Sequence, residues 1–278
     1  MIKQRLGHRR TAALASAALA LTAVVAVAHD MFLKPAQYFV APNAAIPAVL
    51  LNGTFDKSMN SINRTRLADI SIVAPTGRTQ LDTTGWDAKG DTSRVSFQSG
   101  AAGTYVLGVS TKANAIEMDA KEFNEYLKED GLPDELARRE TKGELTAGAH
   151  ERYAKHVKSI VQVGDTRSNG YATALGYPAE IVPLENPYDL AKGGSLRVRL
   201  LVNGKPVAGQ YVTFGARTAS GGVVADRGVR SGAGGVAAIS VTSPGVWYVK
   251  FINMRKLPTQ PDGVTHESQW ATLTFGAK

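Results

Sequence analysis

Cysteine is absent from all 278 residues, which removes disulfides, thiolate nucleophiles and thiolate metal ligands together. Any metal site must therefore be built from imidazole, carboxylate, amine or backbone oxygen, a donor set that suits Ni²⁺, Co²⁺, Cu²⁺ or Zn²⁺ and excludes soft-metal cages. A strong charge of one sign is also lacking. The formal net charge of +8 falls to about +4 once Lys3, Arg5, Arg9 and Arg10 are set aside, and the remaining cations are scattered, which argues against nucleic acid as a partner. There is no nucleophile elbow, no His-Glu-x-x-His helix and no phosphate-cradling loop. The glycines between Ser220 and Gly235 precede no lysine at that spacing and read instead as long hairpin loops.

What is present begins with an export signal over residues 1–28. The four cations form a positive leader, Thr11 to Val27 an apolar run of about 17 residues, and Ala26-Val27-Ala28 a small-x-small cleavage pattern. The run is short for a membrane anchor, no basic stop-transfer cluster follows it, and no later run is long enough to span a bilayer. The expectation is a cleaved signal and a soluble chain in the periplasm or otherwise secreted. About 250 residues then remain, room for two domains of ordinary size.

Twenty-eight glycines, twelve prolines and many short Val/Ile/Thr/Tyr runs indicate a β-rich body. Ala48 to Leu51, Ile70 to Val73 and Gly103 to Val109 read as strands of a first β-sandwich, residues 29–112. From 113 to 165 the period changes to 3.6. Asp119 and Glu122 make an N-cap with its return partner, Phe123, Tyr126 and Leu127 share a face, and Gly131 stops the helix. A second helix is expected from about Thr146 to Val161, with Tyr153, Val157, Ile160 and Val161 as its apolar stripe. After a polar linker, residues 177–278 return to β: Ser195 to Leu200 alternates, Asn203-Gly204 is a hairpin turn, and Tyr211 to Phe214, Val236 to Val241, Val246 to Ile252 and Trp270 to Phe275 follow. The expected fold is mainly β, two Ig-like β-sandwich domains with a helical insertion between them.

The blocks Tyr177-Pro178-Ala179-Glu180-Ile181-Val182-Pro183-Leu184-Glu185-Asn186-Pro187-Tyr188, Gly194, Val202-Asn203-Gly204-Lys205-Pro206-Val207-Ala208-Gly209, and His266-Glu267-Ser268-Gln269-Trp270-Ala271-Thr272-Leu273-Thr274-Phe275 resemble the DUF4198 family of exported proteins, often described as periplasmic components of nickel or cobalt uptake. The resemblance implies a β-rich, two-domain protein with a metal-related role; periodicity supports the first and is silent on the second.

Four histidines follow the signal: His29, His150, His156 and His266. Cleavage after Ala28 would place the α-amine and Nδ1 of His29 in one six-membered chelate. Cleavage after Ala26 would leave Val27-Ala28-His29, an amine, two amides and a third-position imidazole suited to square-planar Cu²⁺ or Ni²⁺. His266 enters the last strand beside Glu267, which could orient it or ligate directly; the plain alternative is a solvated loop histidine. His150 and His156, six residues apart on the expected helix, lie about 120° apart around its axis and do not grip one ion together, though either could complete a site begun by His29. Arg152, Lys155 and Lys158 read as a solvated face or a surface for an anionic chelate. The acids from Glu117 to Asp130 read as an ordinary solvated helix, and Glu180, between apolar neighbours, as a buried residue at the domain junction.

The leading expectation is an exported, non-catalytic protein that captures a divalent transition metal, Ni²⁺ or Co²⁺ first and Cu²⁺ second, and passes it to a membrane uptake transporter. Its rivals are a copper oxidase in which His29 and a second imidazole brace the metal, and a metal-free sandwich that binds a protein or glycan.

Overall fold

The computed structural model describes residues 29–258 and 262–278, so the expected signal and its cleavage point lie outside the described residues. The first eight strands are β1 (Asp30–Pro35), β2 (Phe39–Val40), β3 (Ala45–Gly53), β4 (Leu67–Ala74), β5 (Gly77–Gln80), β6 (Ser93–Gln98), β7 (Gly103–Thr111) and β8 (Asn114–Met118). Two helices follow, α1 (Ala120–Glu129) and α2 (Pro133–Thr141), and then the long strand β9 (Ala149–Val163). The remainder is β10 (Ala179–Pro183), β11 (Ser195–Val202), β12 (Lys205–Pro206), β13 (Tyr211–Thr218), β14 (Val223–Arg230), β15 (Val236–Ser240), β16 (Gly245–Lys256) and β17 (His266–Ala277).

Most of these strands join one ten-stranded sheet whose main path runs β14-β13-β16-β17-β9-β7-β4-β5, with β2 and β8 also pairing β9. Mid-chain strands and the last strand meet at its centre, where β9 pairs in parallel with β17 and antiparallel with β7. One face carries the three-stranded sheet β1-β3-β6 and an apolar cluster that includes Leu33, Leu50, Phe97, Leu107 and Val157. On the same face α1 packs Phe123, Tyr126 and Leu127 against Ile252 and Trp270. The other face carries the sheet of β10, β11, β12 and β15, over Val106, Ile160, Trp247, Val249 and Leu273. Residues of alternate parity on the central strands thus feed opposite cores, as period-two geometry requires.

Local chemistry accounts for the turns and caps. Asp119 accepts from the Glu122 N–H at 2.8 Å while Glu122 returns a bond to the Asp119 N–H at 3.0 Å, the capping box expected from the sequence. Asn203 and Gly204 both take positive φ in the turn that closes β11 on β12, as a two-residue hairpin turn demands.

Two expectations are corrected. The stretch from Thr146 to Val161 is not a helix: it is most of β9, with every residue from Ala154 to Val163 buried. A central strand covered on both faces loses strict alternation and reads as a near-continuous apolar run, and its β-branched Val157, Ile160, Val161 and Val163 favour extended backbone. The second helix lies earlier, opened by Pro133 at its first turn with Asp134 and Glu135 behind it. Within the glycine-rich stretch, residues 223–230 form β14 along the edge of the central sheet.

Candidate functional site

β1 enters the fold at His29. Pairing with β3 starts at the rung Asp30↔Gly53, and the His29 carbonyl oxygen accepts from the ammonium of Lys155. Burial first, and the Lys155 charge second, lower the His29 imidazole pKa, and Asp30 offsets part of that; the ring is neutral and a competent donor at physiological pH.

His29 lines a cleft of about 290 Å³. Four acidic residues from three elements line it: Asp30 on β1, Glu129 and Asp130 at the end of α1, and Asp226 on β14. Phe32, Phe55 and Tyr248 form an aromatic wall with ring centroids 4.4–5.2 Å apart. Asp30 binds the Lys250 ammonium through Oδ2, while its Oδ1 is buried with no hydrogen-bond partner. Asp130 caps α1 and lies 3.8 Å from Lys250. Burial, reinforced by the neighbouring Asp30 charge, pushes Asp130 up to about 7. Burial pulls Lys250 down, but Asp30 and Asp130 more than offset it and leave its pKa raised. Asp226 accepts from Tyr248 Oη, whose pKa is driven up by burial and then by that carboxylate.

The other histidines sit elsewhere, each with its own partners. His266 is 2 % exposed. Its Nε2 lies 3.1 Å from Glu135 Oε1, its Nδ1 2.8 Å from Thr265 Oγ1, and its ring 4.8 Å from that of Phe123. The neighbour that engages it is Glu135 of α2; Glu267, favoured by sequence adjacency, instead meets Arg152 and Arg255. Burial pushes the Glu135 carboxyl up, but the bonds from His266 and Arg138 outweigh this and hold it down at about 2. His156 is buried on the opposite face, with Nδ1 2.8 Å from Ser110 Oγ and Nε2 2.9 Å from Gln269 Oε1. Burial lowers its pKa against the pull of Gln269 and Glu180. His150 is half-buried, and its backbone bonds to Thr265 in both directions. No described contact joins any two of these histidines, and among the described residues no three or more His, Asp or Glu side chains converge in a metal-holding group.

The sequence therefore picked out His29 but not the residues around it. Asp130, expected among solvated acids, and Lys155 and Lys158, expected on an exposed face, are all largely buried. Glu180 matches its expectation of burial: it accepts from Lys158 Nζ at 3.0 Å and from the Leu175 and Tyr177 N–H groups at 2.7 and 2.9 Å. It thereby ties the segment before β10 to β9.

Chemically, the cleft is lined by one imidazole and several carboxylates, and the Oδ1 of Asp30 is buried there without a hydrogen-bond partner. Cleavage before residue 29 would add an amine. These are donors for a borderline divalent cation.

A family model described as a domain of unknown function, DUF4198, matches residues 26–255. No curated protein matches the chain. Among solved structures, a DUF4785 family protein from Legionella pneumophila is 9% identical with a TM-score of 0.25, over 78% of this chain and 50% of that one. A trypsin-activated alpha-2-macroglobulin from Escherichia coli is 9% identical with a TM-score of 0.24, over 89% and 15%. The tetra-tandem repeat of a large adhesion protein is 10% identical with a TM-score of 0.23, over 90% and 50%. The chain thus spans half or less of each of these structures, and likeness at this level carries no functional argument.

Proposed function

The chain belongs to the DUF4198 family, and on that premise we propose that it is an exported, non-catalytic protein that captures a divalent transition metal, Ni²⁺ or Co²⁺ first, as cargo for a membrane uptake system. The observation that carries this reading is the position of His29: the residue expected to become the terminus lines a cleft faced by Asp30, Glu129, Asp130 and Asp226. The amine and imidazole of a processed His29 would chelate the ion, and Asp130 or the unpartnered Oδ1 of Asp30 would complete its shell. Cu²⁺ is the alternative cargo. A copper oxidase built on a histidine brace needs a second imidazole beside the first. His156 and His266 have both ring nitrogens engaged elsewhere, and His150 of β9, paired with Glu117 of β8, does not line the cleft, so carboxylates are the available co-ligands.

Two Ig-like sandwich units, residues 29–112 and 177–278, joined by a segment carrying the helices, form the proposed domain organisation, with the ten-stranded sheet common to both. Among the described residues no helix is long and apolar enough to cross a membrane.

The test is titration of the exported protein with Ni²⁺, Co²⁺ and Cu²⁺ by calorimetry, after intact-mass measurement of its terminus. A terminus at residue 29 with one ion bound at micromolar concentration is expected. A correctly processed protein that binds none of the three ions would overturn the reading.

A further inference from the structure

We infer that Lys155 is a positioning residue whose task is to fix residue 29 at the cleft. Its consequence for ion binding rests on the reading of that cleft given above; its grip on residue 29 does not. The β1–β3 ladder stops at Asp30↔Gly53, so residue 29 lies beyond the last rung. There the ammonium of Lys155 takes over, donating to the His29 carbonyl oxygen and, at 2.9 Å, to Asn52 Oδ1. Asn52 is itself set by the loop after β3: its N–H donates to Ser58 Oγ at 3.0 Å, and its Nδ2 donates to Asn60 Oδ1.

Lys155 is 4% exposed. The rings of Trp270 and Tyr153 lie 5.0 and 5.4 Å from its Nζ, and among the described residues no carboxylate is within ion-pair distance of it. A buried cation held by neutral oxygens and aromatic faces is costly to keep. Volume alone would not call for a charge there, since Met or Leu fills the same space without the desolvation cost, though either leaves the two acceptors bare. An ammonium adds what those side chains lack, a donor that reaches past the end of a ladder to the carbonyl of the next residue. Ligand-orienting partners of this kind are usual around metal ligands, and their loss commonly weakens binding by about 10–100-fold.

Two measurements test the inference. In the isotopically labelled full chain at low temperature, a coupling across the hydrogen bond from Lys155 ¹⁵Nζ to the His29 ¹³C′ is expected; its absence would overturn the assignment without any variant being made. In Lys155→Met, which keeps length and burial but has no donors, His29 should lose its fixed ring and backbone signals. Ni²⁺ affinity of the exported form should fall by about tenfold, and Lys155→Arg should restore part of both. A Lys155→Met protein in which His29 stays as ordered as before, or one that binds Ni²⁺ as tightly as the parent, contradicts the inference. A parent protein whose His29 is ordered by Lys155 yet which binds no ion refutes the ion-capture reading and leaves the positioning role standing.

Discussion

Lys155 and Lys158 stand three residues apart on β9 and leave opposite faces of the central sheet, and the fold treats them differently. Lys158 is 2% exposed and ends on Glu180, a carboxylate that also takes two backbone N–H groups, so these two buried charges match each other. Lys155 ends on a backbone carbonyl and an amide oxygen. Burial lowers its pKa to about 8, with Asp30, Asp130 and Glu151 pulling the other way. The same contrast separates the histidines. His156, near Lys158, and His266, on Glu135, have both ring nitrogens engaged, whereas His29, beside Lys155, is held by its carbonyl and lines an open cleft. Closed networks hold the fold together; on the ion-capture reading, the incompletely matched one is where the ligand would enter.

The largest effect that sharpens this contrast is expected at the closed face. Glu180→Ala strands the Lys158 charge and leaves two N–H groups without their acceptor, and should lower unfolding free energy by about 3–5 kcal/mol. Lys155→Met removes a cation with no carboxylate partner and should cost only about 1–2 kcal/mol. Denaturant titration of both checks the order, and equal losses would erase the distinction.

The pH dependence of the two regions should also differ in sign. Glu135 is held at about 2 against an ordinary 4.5. The folded state therefore releases that proton more readily, and the stabilisation is present above 4.5 and lost as pH falls towards 2. Thermal scans from pH 5 to pH 2 should show a steeper acid loss for the parent than for Glu135→Gln, with Ni²⁺ affinity at pH 7 the same in both. Asp130 runs the other way. Raised to about 7 from 3.8, it binds its proton more tightly when folded, so it lowers stability progressively as pH rises between those values. Asp130→Asn should raise the melting temperature at pH 8, by up to about 10 °C, and leave it unchanged below pH 4. A lower melting temperature at pH 8 would show that the carboxylate is fully matched by Lys250.

Much of the fold was legible because its signals are local. The capping box at Asp119 and Glu122, the Asn203-Gly204 turn and the alternation from Ser195 to Leu200 each report on neighbours within a few residues. β9 was not, because its identity depends on β7 and β17, 46–60 and 115 residues away, covering both its edges. Its Lys155, His156 and Lys158 are polar residues that only tertiary partners make tolerable in a core. The site divides in the same way. His29 stood out by its place beside a cleavage pattern, whereas Asp130 and Asp226 reach the cleft from α1 and β14 through long-range packing that no spacing reveals. His266 is a candidate ligand in the sequence because it enters the last strand beside Glu267; the partner that engages it is Glu135 of α2, a helix the sequence reading does not place.

The most direct test of the account sets those two histidines against each other in one calorimetric experiment, with Ni²⁺ titrated into the exported protein and into its His29→Ala and His266→Ala variants. One bound ion in the parent, none in His29→Ala and an unchanged affinity in a folded His266→Ala is the predicted result. Binding that survives in His29→Ala, or disappears in a folded His266→Ala, would contradict it.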